Sequence, residues 1–230
     1  MKTRIDREKL KRRATVSHVA SLGGILILLG STAISIWRPE WSTLTAAMLV
    51  AGFAAATAGI YYANRWVKKP RPEDTLDHAL KGLSGKYCLY HYELSSDHVL
   101  LTPKDVVVLE TRNIEGQFSY TGGKWHQKVS ISRALRFFVE ERLSDPTADA
   151  QAAAGRIRAA LRAKLPDGDQ VPVRAIVVFV HPAAVLGEIQ NPPVPVCLPR
   201  RLRKRVLSQE RDPRAGLYER VKGLLDSGEV

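Results

Sequence analysis

Cysteine is scarce in this chain: the 230 residues hold two, Cys88 and Cys197. No CxxC pair can be built from them, so zinc knuckles are excluded, and two isolated thiols fit a reducing compartment better than a disulfide framework. Six scattered histidines lack zinc-ligand spacing. There is no HExxH, GxSxG or GxGxxG, no internal repeat and no long low-complexity tract. Gly82-Leu83-Ser84-Gly85-Lys86 resembles the end of a phosphate-binding loop. That loop needs Gly where Leu80 stands and Ser or Thr where Tyr87 stands, so it too is excluded. Acidic residues are outnumbered, 23 against 35 Lys and Arg, for a formal net charge of +12. A balance this basic points to polyanionic partners, either nucleic acid or an anionic membrane surface.

Charge is also missing from two stretches. Between Arg13 and Arg38 lie 24 residues with no Asp, Glu, Lys or Arg, and between Glu40 and Arg65 lie 24 more. A helix crossing a bilayer takes about 20 mainly apolar residues. The sequence therefore reads as a basic arm over 1–15, spans over 16–37 and 41–64, a linker over 65–72 and a polar region beyond. The Arg38-Pro39-Glu40 link is short enough to force an antiparallel hairpin. The first run is longer than a signal-peptide core and a second follows at once, so an uncleaved anchor is expected. Residues 1–15 carry net charge +5, and Arg65, Lys68, Lys69 and Arg71 follow the second span. The positive-inside rule then predicts a two-span cell-membrane protein with both termini cytoplasmic. Small residues four apart, Ala51, Ala55 and Gly59, predict close packing on Gly23, Gly24 or Gly30, or on another copy.

Beyond Pro70-Arg71-Pro72, apolar spacing predicts a helix over 73–83 and strands over 87–94, 97–102, 105–113 and 117–121. Pro103-Lys104 would turn the second strand into the third. Helices follow over 130–143 and 147–165, a strand over 171–180, an extended segment over 192–198, and closing helices over 199–210 and 214–225. The fold class expected is α/β, a mixed sheet flanked by helices, preceded by the all-α transmembrane hairpin.

One constellation carries chemistry. Asp97 opens a strand, and Glu110 and Arg112, two apart on the next, face the same side. A turn at 103–104 brings Asp97 opposite them. Two carboxylates with a cation beside them suit an oxygen-ligated ion such as Mg²⁺, which could activate water and neutralise a phosphate. The same spacing also describes a surface ion pair of little energetic weight.

Glu73, Asp97-His98, the apolar run Val106–Leu109, Glu110-Thr111-Arg112-Asn113, Gly116 and Trp125 stand in an order and spacing that resemble the NERD (nuclease-related) domain, a branch of the PD-(D/E)xK nuclease-like fold. The likeness extends over about residues 72 to 210. It implies a restriction-endonuclease-like domain over 73–210 with a C-terminal helix over 211–230, and Mg²⁺-dependent phosphodiester hydrolysis. It also implies Asp97 and Glu110 as metal ligands, with Glu73 a further acid. The family's lysine is Arg112 here. Arginine keeps the charge and can clamp a phosphate, but it is essentially never deprotonated. Two readings stay open: a membrane-anchored nuclease, or a non-catalytic membrane-tethered module with a degenerate site that binds nucleic acid, a protein or anionic lipid. Arg200, Arg201, Arg203, Lys204 and Arg205 form the densest basic cluster, suited to nucleic acid or to lipid. The sequence leaves the oligomeric state open.

Overall fold

The computed structural model describes residues 1–66, 69–128, 143–208, 217–228 and 230. They fall into two compact units: one holds the described residues of 7–71, the other Met1–Asp6 and the described residues from Pro72 onward.

The first unit is a helical hairpin. Helix α1 (Arg7–Trp37) and helix α2 (Ser42–Trp66) are joined by a 3₁₀ turn at Pro39–Trp41. Both are long and apolar enough to cross a membrane. Val19, Leu22, Leu26, Leu29 and Val50 are each more than 60% exposed. Such an apolar exterior suits lipid rather than water.

The buried positions of α1 are Leu10, Ser17, Gly24 and Ser31, seven apart. Those of α2 include Thr45, Gly52, Ala56 and Gly59. Each step of seven along α1 is answered by a step of seven back along α2. Ser31 Oγ donates to the Thr45 carbonyl at 2.8 Å. A Cβ on Gly24 would lie 2.3 Å from the Ala56 nitrogen, and one on Gly59 would lie 2.3 Å from that of Ser21. The expected small-residue contact is therefore present and uses Gly24 of α1 and Gly59 of α2 as predicted, joined by Gly52 and Ala56 rather than Ala51. Ala51 is exposed, and Gly23 and Gly30 face open space. The helices meet on a seven-residue repeat of 3.5 residues per turn, not on one of four.

The second unit is α/β, as its alternating patterns predict. A six-stranded mixed sheet runs β1 (Lys2–Ile5), β2 (Cys88–His91), β3 (His98–Leu101), β4 (Val106–Arg112), β7 (Val173–Phe179), β9 (Val196–Cys197). The pairs β1–β2, β4–β7 and β7–β9 are parallel, while β2–β3 and β3–β4 are antiparallel. A smaller sheet places β5 (Gly116–Thr121) between β6 (Lys124–Lys128) and β8 (Ala184–Ile189). Gly122 and Gly123 both have positive φ in the β5–β6 turn, the backbone a two-residue hairpin asks for.

Four helices flank the large sheet among the described residues: α3 (Pro72–Leu80), α4 (Pro146–Lys164), α5 (Pro199–Ser208) and α6 (Leu217–Asp226). Alternation along β4 divides the core. Val106 and Val108 pack with Ala150, Ala153, Ile157 and Leu161 of α4 and Val221 and Leu225 of α6. Val107 and Leu109 pack with Leu76 and Leu80 of α3 and Leu202 and Val206 of α5.

Two features depart from the sequence pattern. Lys2–Ile5, read as part of a basic arm, is an edge strand: four residues are too few to signal a strand by periodicity, and the unpaired edge of β2 recruits them. Strands β6 and β8 have little apolar alternation and were not expected. The helix predicted over 130–143 lies outside the described residues, apart from Leu143.

Candidate functional site

The β3–β4 hairpin turns where Pro103-Lys104 predict. Thr102 donates its amide to the Asp105 carbonyl at 2.9 Å, and its Oγ donates to the Asp105 carboxylate at 2.7 Å. Arg174 of β7 pairs with the same carboxylate. Register follows from this turn: Leu101 faces Val106 and Val99 faces Val108. Continued two residues past the last pair, beyond the end of β3, the same register would set Asp97 across from Glu110. Glu110 and Arg112 continue the Val106–Val108 face, the side that α4 covers.

Asp97 ends a short loop fixed from several directions. Tyr92 donates its amide to the Asp97 carbonyl at 2.8 Å. Its φ is +63°, a left-handed backbone uncommon for a bulky residue. Ser95 donates its amide to the Val230 carbonyl at 2.7 Å. Ser96 Oγ donates to the Ala153 carbonyl on α4 at 3.4 Å, and Glu93 pairs with Arg4 of β1 at 3.2 Å. The chain's two ends and its longest soluble helix thus all hold the loop that presents Asp97.

Arg112 is 3% exposed. Its guanidinium pairs with Glu110 and with Asp149, and it donates to the Thr111 carbonyl at 3.1 Å and to Ser144 Oγ at 3.3 Å. Its Nε has no acceptor among the described residues. Asp149 stands in the first turn of α4 and also accepts from Ser144 Oγ at 2.8 Å. That turn is set by Asp145, whose carboxylate accepts from the amides of Thr147 at 3.0 Å and Ala148 at 3.1 Å. Burial alone would push the Asp145 carboxyl up. The Thr147 hydroxyl and the two amides outweigh it, and the net shift is downward. Asp149 was not expected from sequence; its signal was an acid in the opening turn after Asp145-Pro146.

Glu73 is 3% exposed on α3 and accepts from Tyr92 Oη at 2.8 Å. Its helix covers the Val107–Leu109 side of the sheet. His98 turns to that side as well: its Nδ1 meets His91 Nδ1 at 2.8 Å across the β2–β3 pair, and one of the two must donate. His91 Nε2 lies 3.5 Å from Asp77. Burial pushes the Asp77 carboxyl up, but His91 and the Thr3 hydroxyl outweigh it and the net shift is downward. Arg200, Arg201, Arg203, Lys204 and Arg205 are exposed on α5, whose Leu202 and Val206 are buried on the α3 side. The basic cluster and the Glu110–Arg112 pair therefore belong to opposite faces of the sheet.

The donor chemistry suits Mg²⁺ in one form. That ion is commonly held by one or two carboxylates, with waters and substrate phosphates completing its shell, and Asp97 and Glu110 supply two carboxylates in neighbouring register. Among the described residues no three His, Cys, Asp or Glu side chains gather into a metal-ready group, so no all-protein cage is available there.

Comparison with known proteins gives one match: residues 71–180 fit the family model described as nuclease-related domain, NERD. No curated protein and no solved structure matches the chain.

Proposed function

We propose that this chain, a nuclease-related domain carried behind two candidate membrane spans, is a membrane-anchored nuclease that hydrolyses nucleic-acid phosphodiesters with Mg²⁺ on the cytoplasmic side. The observation that supports the reading is the β3–β4 register, Val99 opposite Val108, which continued two residues further would bring Asp97 to Glu110, with Arg112 two residues on. Asp97 and Glu110 would hold the ion, which supplies Lewis-acid polarisation of a phosphate and a more acidic bound water. Arg112 offsets negative charge beside them and orients the Glu110 carboxylate; it donates hydrogen bonds but accepts no proton. Glu73 lies on the α3 side, where its carboxylate accepts from the Tyr92 hydroxyl. The exposed cations of α5 offer a strip for the nucleic-acid backbone away from the cutting face, or for lipid.

Sidedness has two supports. Basic flanks of both spans favour the cytoplasm. In addition, β1 pairs with β2, so the residues before the first span share a sheet with those after the second, which favours both ends of the hairpin on one side.

A second reading is favoured by the Arg112 contacts. A buried guanidinium already engaged by Glu110 and Asp149 suits a degenerate site that binds without cutting. One experiment separates the two. The full-length protein in detergent is assayed on labelled DNA and RNA across a Mg²⁺ titration, beside Asp97→Asn, Glu110→Gln and Arg112→Lys. The nuclease reading expects Mg²⁺-dependent cleavage that falls at least about a hundredfold in each acid variant, with Arg112→Lys retaining activity. Cleavage indifferent to both acids, or nucleic-acid binding with no cleavage by any form, defeats it and leaves the binding module.

A further inference from the structure

Near the basic end of the hairpin, wholly within the α1–α2 unit, lies an open cavity of about 420 Å³ lined by Lys9, Arg12, Arg13, Val16, Ser17 and Tyr62. The first five stand at spacings of three and four along α1, so they occupy one helix face. Tyr62 closes the cavity from α2. We propose that this cavity binds the head group of an anionic phospholipid, a site separate from the nuclease-related domain and from the cations of α5.

Three arguments carry the assignment. Lys9, Arg12 and Arg13 bring three positive charges to the lining of one cavity within two turns of one helix face, a density that attracts an anionic head group. The cavity's depth is right for lipid: Arg13 is the last charge before 24 uncharged residues, so the cations sit at the boundary where a phosphate lies above its acyl chains. The lining changes character in the same order, from cations to Val16 and the Tyr62 ring, an amphipathic side chain at home at a membrane interface. Basic cavities between transmembrane helices on the cytoplasmic side take lipid head groups by this chemistry. A soluble phosphate would use the cations but gain nothing from the apolar floor. Ser17, in the same wall, satisfies its hydroxyl by donating Oγ to the Arg13 carbonyl at 2.7 Å.

The test uses the full-length protein in nanodiscs of phosphatidylcholine doped with phosphatidylglycerol, followed by release into mild detergent and native mass spectrometry. One phosphatidylglycerol is expected to stay bound. The double variant Arg12→Gln/Arg13→Gln should weaken that retention about thirtyfold. Arg7→Gln/Lys11→Gln removes the same charge from α1 residues outside the cavity, and should stay within about twofold. Circular dichroism confirms that each variant is folded, and Lys9→Gln alone serves if the double variant is not. Equal losses in the two double variants would mean diffuse surface charge and overturn the proposal. Phosphatidylcholine retained as firmly as phosphatidylglycerol, or lipid displaced by glycerol phosphate, would overturn it as well.

Discussion

Arginine at position 112 makes a contact that lysine could not duplicate in the same place. Its planar fork donates to carboxylates on two elements at once, Glu110 on its own strand and Asp149 on α4. The position of Asp149 in turn depends on the Asp145 cap, where both amide hydrogen bonds end on one carboxylate. Asp145→Ala should therefore cost about 1 kcal/mol, or a melting temperature lower by about 2–4 °C for a domain of this size, read by thermal unfolding of the full-length protein in detergent at neutral pH. The sign with pH is fixed. The folded carboxyl titrates below its ordinary value, so its contribution is complete above the unfolded value of about 3.9 and is lost as pH falls through the folded one. The gap between wild type and variant should narrow over that acid range. A gap that is absent at neutral pH, or that widens in acid, sinks the cap argument. The β3–β4 turn and the shared face of Glu110 and Arg112 were legible from sequence because a period of two and one tight turn are local facts. Asp149 was not, since its ion pair with Arg112 spans 37 positions and requires knowing which helix end crosses β4.

Among elements, the hairpin shows how a correct expectation can be right in part of its residues: Gly24 and Gly59 meet the facing helix as expected, while Gly23, Gly30 and Ala51 do not. Small side chains do let α1 and α2 approach, yet buried positions recur at seven: Ser17, Gly24 and Ser31 along α1, and Thr45, Gly52 and Gly59 along α2. Runs of Ala and Gly satisfy many periods at once, and only the packed pair selects one. The two neighbouring glycines of α1 make a clean contrast. A Cβ on Gly24 would meet Ala56 backbone at 2.3 Å, while one on Gly23 meets nothing within 4 Å. Gly24→Leu should destabilise the hairpin by roughly 1–3 kcal/mol through overpacking, whereas Gly23→Leu should stay within about 0.5 kcal/mol. SDS titration from mild-detergent micelles, followed by tryptophan fluorescence, measures both. Equal midpoints for the two variants would refute the heptad register. Strands β2, β3, β4 and β7 were legible because buried strands read as continuous apolar runs. Strand β1 was not, because its place depends on the open edge of β2 rather than on its own pattern.

For the whole molecule, β1 has the widest consequence, because it turns a question of membrane topology into one of sheet pairing. Met1 donates its amine to the Leu83 carbonyl at 2.7 Å. Lys2 and Asp6 donate their amides to Tyr87 and His91 at 2.9 and 3.1 Å. Arg4 reaches Asp226 at 2.9 Å, so the first residues are tied both to the sheet and to the last helix. A chain built this way cannot place its N-terminus and its C-terminal domain on opposite sides of a membrane without stripping an edge strand. Single cysteines at Lys2, Ser227 and Glu40, the last in the turn between the spans, test the point with a membrane-impermeant maleimide. The native thiols should stay silent in the folded protein. Both are buried, and burial pushes Cys88 upward and Cys197 up to about 12, leaving almost no reactive thiolate near neutral pH. In inverted membrane vesicles Lys2→Cys and Ser227→Cys should label and Glu40→Cys should not; in right-side-out cells the pattern should reverse. If Lys2→Cys and Ser227→Cys label from opposite sides, β1 does not pair with β2 in the membrane-bound protein. If they label together but from outside, the shared sheet stands while the cytoplasmic assignment falls, and with it a nuclease acting on nucleic acid inside the cell.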